Sequence, residues 1–532
     1  QYIYWASYQR PMEKIAASLP KWAEKEAIDS IHAIVEEANV TLEPLDSRSY
    51  TFPRSTHRDP IAEIRRRSKR RLKLMVARHG DIAAERFEYE LAAMEKFADY
   101  LLIYSDIVQM ARDQGIYTWT RGSACGSLVN FCLRIHSIDP IHYGLLFERF
   151  VNPARGTFPD VDIDFEAHRR DDVARSVKEY MAELGQEVLA IGTYTTTANR
   201  QAFRMMAEAA GLPKERVDEL AKLLPQMIDS GMVTSEEEAY EAIKEELGLD
   251  IHGDAAAVFD AIAGVSQHAC AFVIGTDDRP LSQWIPTYRI GSSDAVVTQY
   301  NMKWIEALGY LKLDLLKLDT LSIMHSVARQ LGKDVDWLDS IGQSDIGIYD
   351  APDEAAFELL RQGRTDGVFT FQGATQRRGC IEVQPETTKD LVHIQGIYRP
   401  SGTRTGLDKQ YVNRKHEREE WEHLNEYTER HWDETFGLPI FQEQIMEMGF
   451  DLGMTGEEVD DLYKAIKTAK GVGRGAKELF EAFEPTFRKY ADEKMSKEQA
   501  DEIWARWDAM QGYCVTGDTI VEKGDGTKTT VS

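Results

Sequence analysis

Apolar residues recur at helical spacing over residues 61–115, with breaks at Gly80 and Gly115, and this pattern predicts consecutive helices. Residues 11–40 repeat the pattern up to a break near Asn39, and 45–60, with Pro53 and Pro60, read as a connector. The texture changes over 116–165, where short apolar runs alternate with glycines and proline turns, as in a sheet with functional loops. Helical spacing returns over 171–255. Three strand-like runs follow at 271–274, 295–298 and 310–315. From about 330 to 513 helix dominates, and Thr455-Gly456-Glu457-Glu458 has the pattern of a capping box. The whole predicts an α+β domain interrupted by a helical insertion and followed by a larger helical domain.

A chain of 532 residues exceeds one hydrophobic core, so two to four domains are expected. The net charge of −26 argues against non-specific coating of nucleic acid, but the charge is segregated. Glu236-Glu237-Glu238, Glu241 and Glu245-Glu246 crowd one segment, and Arg65-Arg66-Arg67 with Lys69-Arg70-Arg71 crowd another, each readable as a solvated helix face. Five scattered cysteines without a CxxC pair argue against a zinc site or a disulfide framework and fit a reducing cytosol. No apolar run approaches the roughly 18–20 residues that cross a bilayer. Gln1-Tyr2-Ile3-Tyr4-Trp5 lacks the features of a signal peptide, and without an initiator Met, Gln1 is expected to be a truncation point.

The most informative stretch is Phe158-Pro159-Asp160-Val161-Asp162-Ile163-Asp164-Phe165. In a strand, alternation puts Asp160, Asp162 and Asp164 on one face and Val161, Ile163 and Phe165 on the other. Three like charges so close repel one another, and a cation makes them tolerable. Their hard oxygens suit Mg²⁺, and two such ions can stabilise the attacking and leaving oxygens of a phosphoryl transfer. A fourth acid, Asp314, interrupts the apolar run Lys312-Leu313-Asp314-Leu315-Leu316, with Asp319 as its rival. A lone buried carboxylate there is costly without a partner.

Upstream, Arg121-Gly122-Ser123-Ala124-Cys125-Gly126-Ser127 precedes a helix-like run over 128–135. Small residues let backbone N–H groups approach an anion, and a helix N-terminus favours the same ligand. Arg121 adds a forked donor, and Ser123 and Ser127 add hydroxyls. The spacing is not that of a P-loop, because no GK[ST] follows.

These motifs, with Leu146-Phe147-Glu148-Arg149-Phe150-Val151-Asn152-Pro153 and Lys312-Leu313-Asp314, resemble in order and spacing the alpha subunit of bacterial DNA polymerase III, the C-family replicase. Val368-Phe369-Thr370-Phe371-Gln372, Ile397-Tyr398-Arg399-Pro400 and Phe441-Gln442-Glu443-Gln444 resemble that family's fingers. The resemblance implies a polymerase-beta-like nucleotidyltransferase palm at 46–191 and 266–319, a helical thumb insertion at 192–265 and mainly helical, incomplete fingers at 320–513. Residues 1–45 would be the tail of a phosphoesterase-like domain. It further implies catalytic and metal-binding roles for Asp160, Asp162 and Asp314 with two Mg²⁺ ions, and a supporting role for Asp164. Arg121, Gly122, Ser123, Ser127, Arg149, Lys312, Arg200 and Lys464 would face the incoming dNTP. Expected partners are primer-template DNA, dNTPs, a sliding clamp and other replisome subunits in the cytoplasm of a bacterial cell, with the chain bacterial or phage-encoded.

The chain departs from the family pattern at several points. Its loop reads Gly-Ser-Ala-Cys-Gly-Ser where the family has Gly-Ser-Gly-Ala-Gly-Ser. Arg200 stands for a family lysine, Phe371-Gln372-Gly373-Ala374-Thr375 for Phe-Gln-Leu-Glu-Ser, and Tyr463-Lys464 for two arginines. After Gly512-Tyr513 the sequence Cys514-Val515-Thr516-Gly517-Asp518-Thr519-Ile520-Val521 resembles the first block of an intein, with Cys514 as the nucleophile. The expected function is template-directed DNA synthesis. The alternative is an inactive precursor half that needs splicing to a partner carrying the remaining C-terminal polymerase segment and intein half.

Overall fold

Helix α1 (Pro60–His79) begins where Asp59 accepts a hydrogen bond from the Ala62 N–H and Pro60 occupies the first turn, and it ends at Gly80. Helices α2 (Asp81–Ala93) and α3 (Ala98–Asp113) follow. In this computed structural model the described residues are 52–151, 159–197, 199–229, 244, 262–276, 279–291, 295–341, 353–399, 402, 405–468, 475–510, 519–522 and 528–531. The helix expected over 11–40, the acidic run at 236–246 except residue 244, and Cys514 lie outside them.

The basic run on α1 is more than a solvated face. Arg65 forks onto Glu88 of α2 at 2.5 and 2.6 Å. Arg67 bonds Glu63 and Asp106, and Arg71 donates to the Phe131 carbonyl at 2.7 Å. Half of the run therefore staples the helical layer together.

Seven strands form one mixed sheet in the order β1 (Thr118–Arg121), β2 (Asp162–Glu166), β7 (Leu311–Leu318), β4 (Ile262–Ile274), β3 (Val188–Thr196), β6 (Val296–Thr298) and β5 (Thr287–Arg289). Strand β2 runs antiparallel to β1 and parallel to β7. The strand-like runs expected at 271–274, 295–298 and 310–315 fall in β4, β6 and β7. Helical texture expected over 171–255 appears as α5 (Arg170–Glu183), Asn199–Ala209 and Lys214–Asp229, but β3 interrupts it. The β-branched and aromatic content of Val188-Leu189-Ala190-Ile191-Gly192-Thr193-Tyr194-Thr195-Thr196 favours extended pairing with β4 over helix.

One face of the sheet packs Val161, Ile163, Phe165, Leu311, Leu313, Leu315 and Phe272 into a core shared with α3 and α5 and continued by α1 and α2. Each large side chain so buried contributes roughly 1.5–3 kcal/mol relative to exposure. The opposite face carries a smaller cluster near β3 and β4, built on Ile191, Ala271, Val273 and Ile305. Beyond Asp319–Gln330 the regular elements among the described residues are helices, apart from the β8–β9 hairpin (Thr519–Glu522, Lys528–Val531). Trp432, Phe480, Phe487 and Trp507 centre one helical cluster, and Cys380, Ile394, Tyr398 and Tyr411 another. The capping box forms as its pattern predicts, with Thr455 N–H on Glu458 at 2.8 Å and Glu458 N–H on the Thr455 hydroxyl at 3.3 Å.

Candidate active site

Ile163 and Phe165 are fully buried against the helical layer, so alternation turns Asp162, Asp164 and Glu166 to the opposite face. The parallel register Ile163↔Leu315 sets Asp162 level with Asp314 on β7. Oxygens of Asp160, Asp162 and Asp314 lie within 4.8 Å of one another. Burial, then the Asp160 and Asp314 carboxylates, push the Asp162 carboxyl up to about 6, against Arg121 and Lys312. The Lys312 ammonium stands 2.7 Å from Asp314 Oδ2. Burial disfavours its charge, but Asp160 and Asp314 outweigh burial and hold its pKa above the ordinary lysine value.

Asp314 is 4% exposed, and its Oδ1 is buried without a hydrogen bond from the protein. An unmatched buried acceptor among three converging carboxylates, with hard oxygens only, fits a divalent cation such as Mg²⁺. Asp164 does not join this group. It lies 1% exposed below Arg121, whose Nε is 3.4 Å from Asp164 Oδ2. Burial raises Asp164 to about 6, partly offset by Arg121. Asp164, expected as a supporting acid, thus lies outside the three-carboxylate group and faces Arg121, because alternation fixes a face but not a depth.

The glycine segment forms a 3₁₀ turn (Gly122–Gly126) followed by the five-residue helix α4 (Leu128–Cys132). Gly122 has φ +74°, and a Cβ there would stand 3.7 Å from Asp162 Oδ2, so the turn abuts the carboxylate group. Arg121, level with Asp162 across the β1–β2 pair, also lies 5.8 Å from the centre of the Phe369 ring. Ser123 is half-buried beside Gly122.

Ser127 departs from the expectation of a ligand hydroxyl. It is fully buried, caps α4 through the Asn130 N–H at 3.2 Å and donates its proton to Glu90 at 2.8 Å. The Val129 N–H also points to Glu90, at 3.0 Å. The helix N-terminus that the sequence suggested for an outside anion is thus occupied by a carboxylate of the chain itself.

Arg149, in the turn Phe147–Arg149, forms an ion pair with Glu443 of helix Gln442–Leu452. Lys464 is exposed and pairs with Asp460 at 2.8 Å and Asp461 at 3.2 Å on its own helix. Arg200 falls at the start of helix Asn199–Ala209, and its side chain lies outside the described residues. Asp319, the rival to Asp314, opens helix Asp319–Gln330 and is not one of the three clustered acids.

Several supporting residues were not singled out from the sequence. Tyr100 donates to the Pro159 carbonyl at 2.7 Å and fixes the chain just before Asp160. Arg170, 5% exposed, donates to the carbonyls of Leu315 and Ala269 and ties β7 to β4 behind Asp314. His268 accepts the Ala271 N–H on Nδ1 at 3.0 Å. Burial lowers its pKa, against the pull of the nearby Asp314 charge. Arg170 shares its helix face with Val173, Ala174, Val177 and Met181, so a charge in an apolar stripe was its visible signal.

Fold and site together define an α+β protein with a three-carboxylate centre suited to a divalent cation, flanked by a glycine turn, the Arg121 guanidinium and the Lys312 ammonium. Residues 62–317 match the family model of the bacterial DNA polymerase III alpha NTPase domain, and 320–489 match that of the alpha subunit finger domain. The DNA polymerase III subunit alpha of Aquifex aeolicus is 34% identical over 73% of this chain and 35% of its own length. That of Caulobacter vibrioides is 30% identical over 96% of this chain and 44% of its own length. An error-prone DNA polymerase of Symbiobacterium thermophilum is 31% identical over 81% of this chain and 38% of its own length. The chain belongs to the bacterial DNA polymerase III alpha family, and it spans 35% to 44% of the length of these relatives.

Proposed function

We propose that this chain carries the polymerising core of a DNA polymerase III alpha subunit and transfers a nucleotidyl group from a dNTP to the 3′-hydroxyl of a primer on its template. The observation that carries the reading is the convergence of Asp160, Asp162 and Asp314 beside the Gly122 turn. The names of the relatives support the same reaction. Palm, thumb and fingers would occupy the ranges given above, with the sheet as palm.

Asp160, Asp162 and Asp314 would hold Mg²⁺, two ions in this reading. Bound there, the metal supplies charge neutralisation of the triphosphate and acidification of the primer hydroxyl. Asp314, oriented by Lys312, positions the hydroxyl side of the reaction. Arg121, Gly122 and Ser123 face the β- and γ-phosphates, with Arg149 and Lys464 as further cations, and stabilise the negative charge of departing pyrophosphate. DNA is gripped mainly through its backbone, so affinity falls steeply with salt. A clamp and other replisome subunits, in the bacterial cytoplasm, complete the proposed setting.

A second reading takes 514–532 as the opening of an intein with Cys514 as nucleophile and the chain as a precursor half; the β8–β9 hairpin that follows Cys514 favours it. Primer extension with Mg²⁺ and four dNTPs, comparing the chain with Asp162→Ala, separates these readings. Extension that the substitution abolishes supports a self-sufficient core. Extension only after the C-terminal polymerase segment is supplied supports the precursor half. No extension under either condition overturns the polymerase reading.

A further inference from the structure

Helix α2 turns an acid inward. Ala83, Phe87 and Leu91 form its buried stripe, and Glu90 lies in that stripe with no exposed surface. Glu90 Oε2 accepts the Ser127 hydroxyl at 2.8 Å and the Val129 N–H at 3.0 Å. Its Oε1 accepts the Arg86 Nε–H at 2.8 Å. Arg86 Nη2 then donates to the Gly126 carbonyl at 2.6 Å and to the Leu145 carbonyl at 2.8 Å. Two segments that are remote in sequence are therefore closed onto one ion pair between the fully buried Glu90 and the half-buried Arg86: the end of the Gly122–Gly126 turn, and the length of chain leading into the Phe147–Arg149 turn. They also touch directly, since a Cβ on Gly126 would stand 2.7 Å from the Leu146 carbonyl. Tyr89 adds a hydrogen bond to Glu148 at 2.9 Å and an edge contact to Phe147 at 5.7 Å.

A core that needed only filling would be served as well or better by an apolar residue at Glu90, because burying its carboxylate is costly before the attraction to Arg86 is counted. What the ion pair supplies is direction. Its fixed donors and acceptors set the height of the glycine turn relative to the turn that carries Arg149. Resting on the function proposed above, we propose that Glu90 and Arg86 are positioning residues for the dNTP pocket, setting Gly122 and Ser123 in register with Arg149. Neither residue need touch the nucleotide.

The test uses the full chain, a fluorescent dATP analogue with Ca²⁺, and a labelled primer-template. Glu90→Gln places an amide N–H₂ where only acceptors fit. Arg86→Lys keeps the charge but loses the fork to Gly126 and Leu145, and it serves where the first variant does not fold. Glu88→Gln, on the exposed Arg65 pair, is the control. Expected is a rise of about tenfold or more in nucleotide Kd for either variant, with primer-template Kd within about twofold of wild type, since small displacements of positioning groups are expensive. Equal nucleotide binding by wild type and variants overturns this inference alone. A parallel loss of nucleotide and DNA affinity also overturns it, because that is the mark of general unfolding. No nucleotide binding by the wild-type chain overturns the proposed function and this inference with it.

Discussion

Asp162→Asn should make the metal-free protein more stable while destroying its proposed activity. Asn keeps the shape of the side chain and removes one of three mutually repelling charges. In the folded protein the Asp162 carboxyl is raised from 3.8 to about 6, first by burial and then by Asp160 and Asp314. Such a group binds its proton more tightly in the folded state than in the unfolded chain. Its destabilising effect is therefore absent below about pH 4, grows between pH 4 and 6, and is complete above 6. At 1.36 kcal/mol per pKa unit the ceiling is ~3 kcal/mol at pH 7.5. Thermal denaturation followed by circular dichroism, in EDTA between pH 4 and 8, measures the effect. The variant should melt higher than wild type at pH 7.5 and level with it near pH 4. Millimolar Mg²⁺ should raise the wild-type midpoint and leave that of the variant nearly unmoved, because ligand binding to the folded state alone stabilises by mass action. A variant less stable than wild type at pH 7.5, or a gain that does not change with pH, would refute the electrostatic account of the site.

Lys312→Met should act in the opposite sense, since it leaves the buried Asp314 carboxylate without its 2.7 Å partner; a loss of about 3–5 kcal/mol is expected. Urea titration reads it, and Lys312→Met combined with Asp314→Asn should recover most of the loss, whereas an additive double variant would show that the pair is not coupled. His136 gives an acid-side prediction. Its Nδ1 accepts the Ile138 N–H and its Nε2 faces the Ser127 carbonyl, while burial lowers its pKa to about 4. A folded value below the ordinary 6.5 means that stability is complete above pH 6.5 and is lost as pH falls from 6.5 to 4, by up to ~3 kcal/mol. NMR of the imidazole should show His136 still neutral at pH 5, and titration near 6.5 would contradict the assignment.

Period-two alternation made the carboxylate face legible, because Val161, Ile163 and Phe165 face the apolar core and the aspartates between them face the other way. It could not separate Asp162 from Asp164. That difference depends on Arg121, on the neighbouring strand, which pairs with the deeper position. Asp314 was visible as an acid in an apolar run. Its place beside Asp162 depends on the parallel β2–β7 register, which no local pattern encodes. Helical breaks at Gly80 and Gly115 and the Thr455 cap are local features, and all three were readable. Strand β3 was missed because short β-branched runs between helices carry little periodic signal of their own.

Glu90 changes the physical meaning of the glycine turn. The sequence alone suggested an anion site of the helix-dipole kind, with backbone N–H groups supplying the positive charge. In the structure the first N–H groups of α4 are satisfied by Glu90 and Ser127. On the proposed function, phosphate charge must then be met chiefly by side chains, and each candidate cation whose side chain is described has a carboxylate partner within the chain: Arg121 has Asp164, Arg149 has Glu443, Lys312 has Asp314 and Lys464 has Asp460. Nucleotide binding would exchange carboxylate for phosphate at these cations and would not fill bare positive sites. Such exchange costs affinity but keeps several cations from repelling one another beforehand. It would also explain how a chain of net charge −26 could hold a polyanionic substrate.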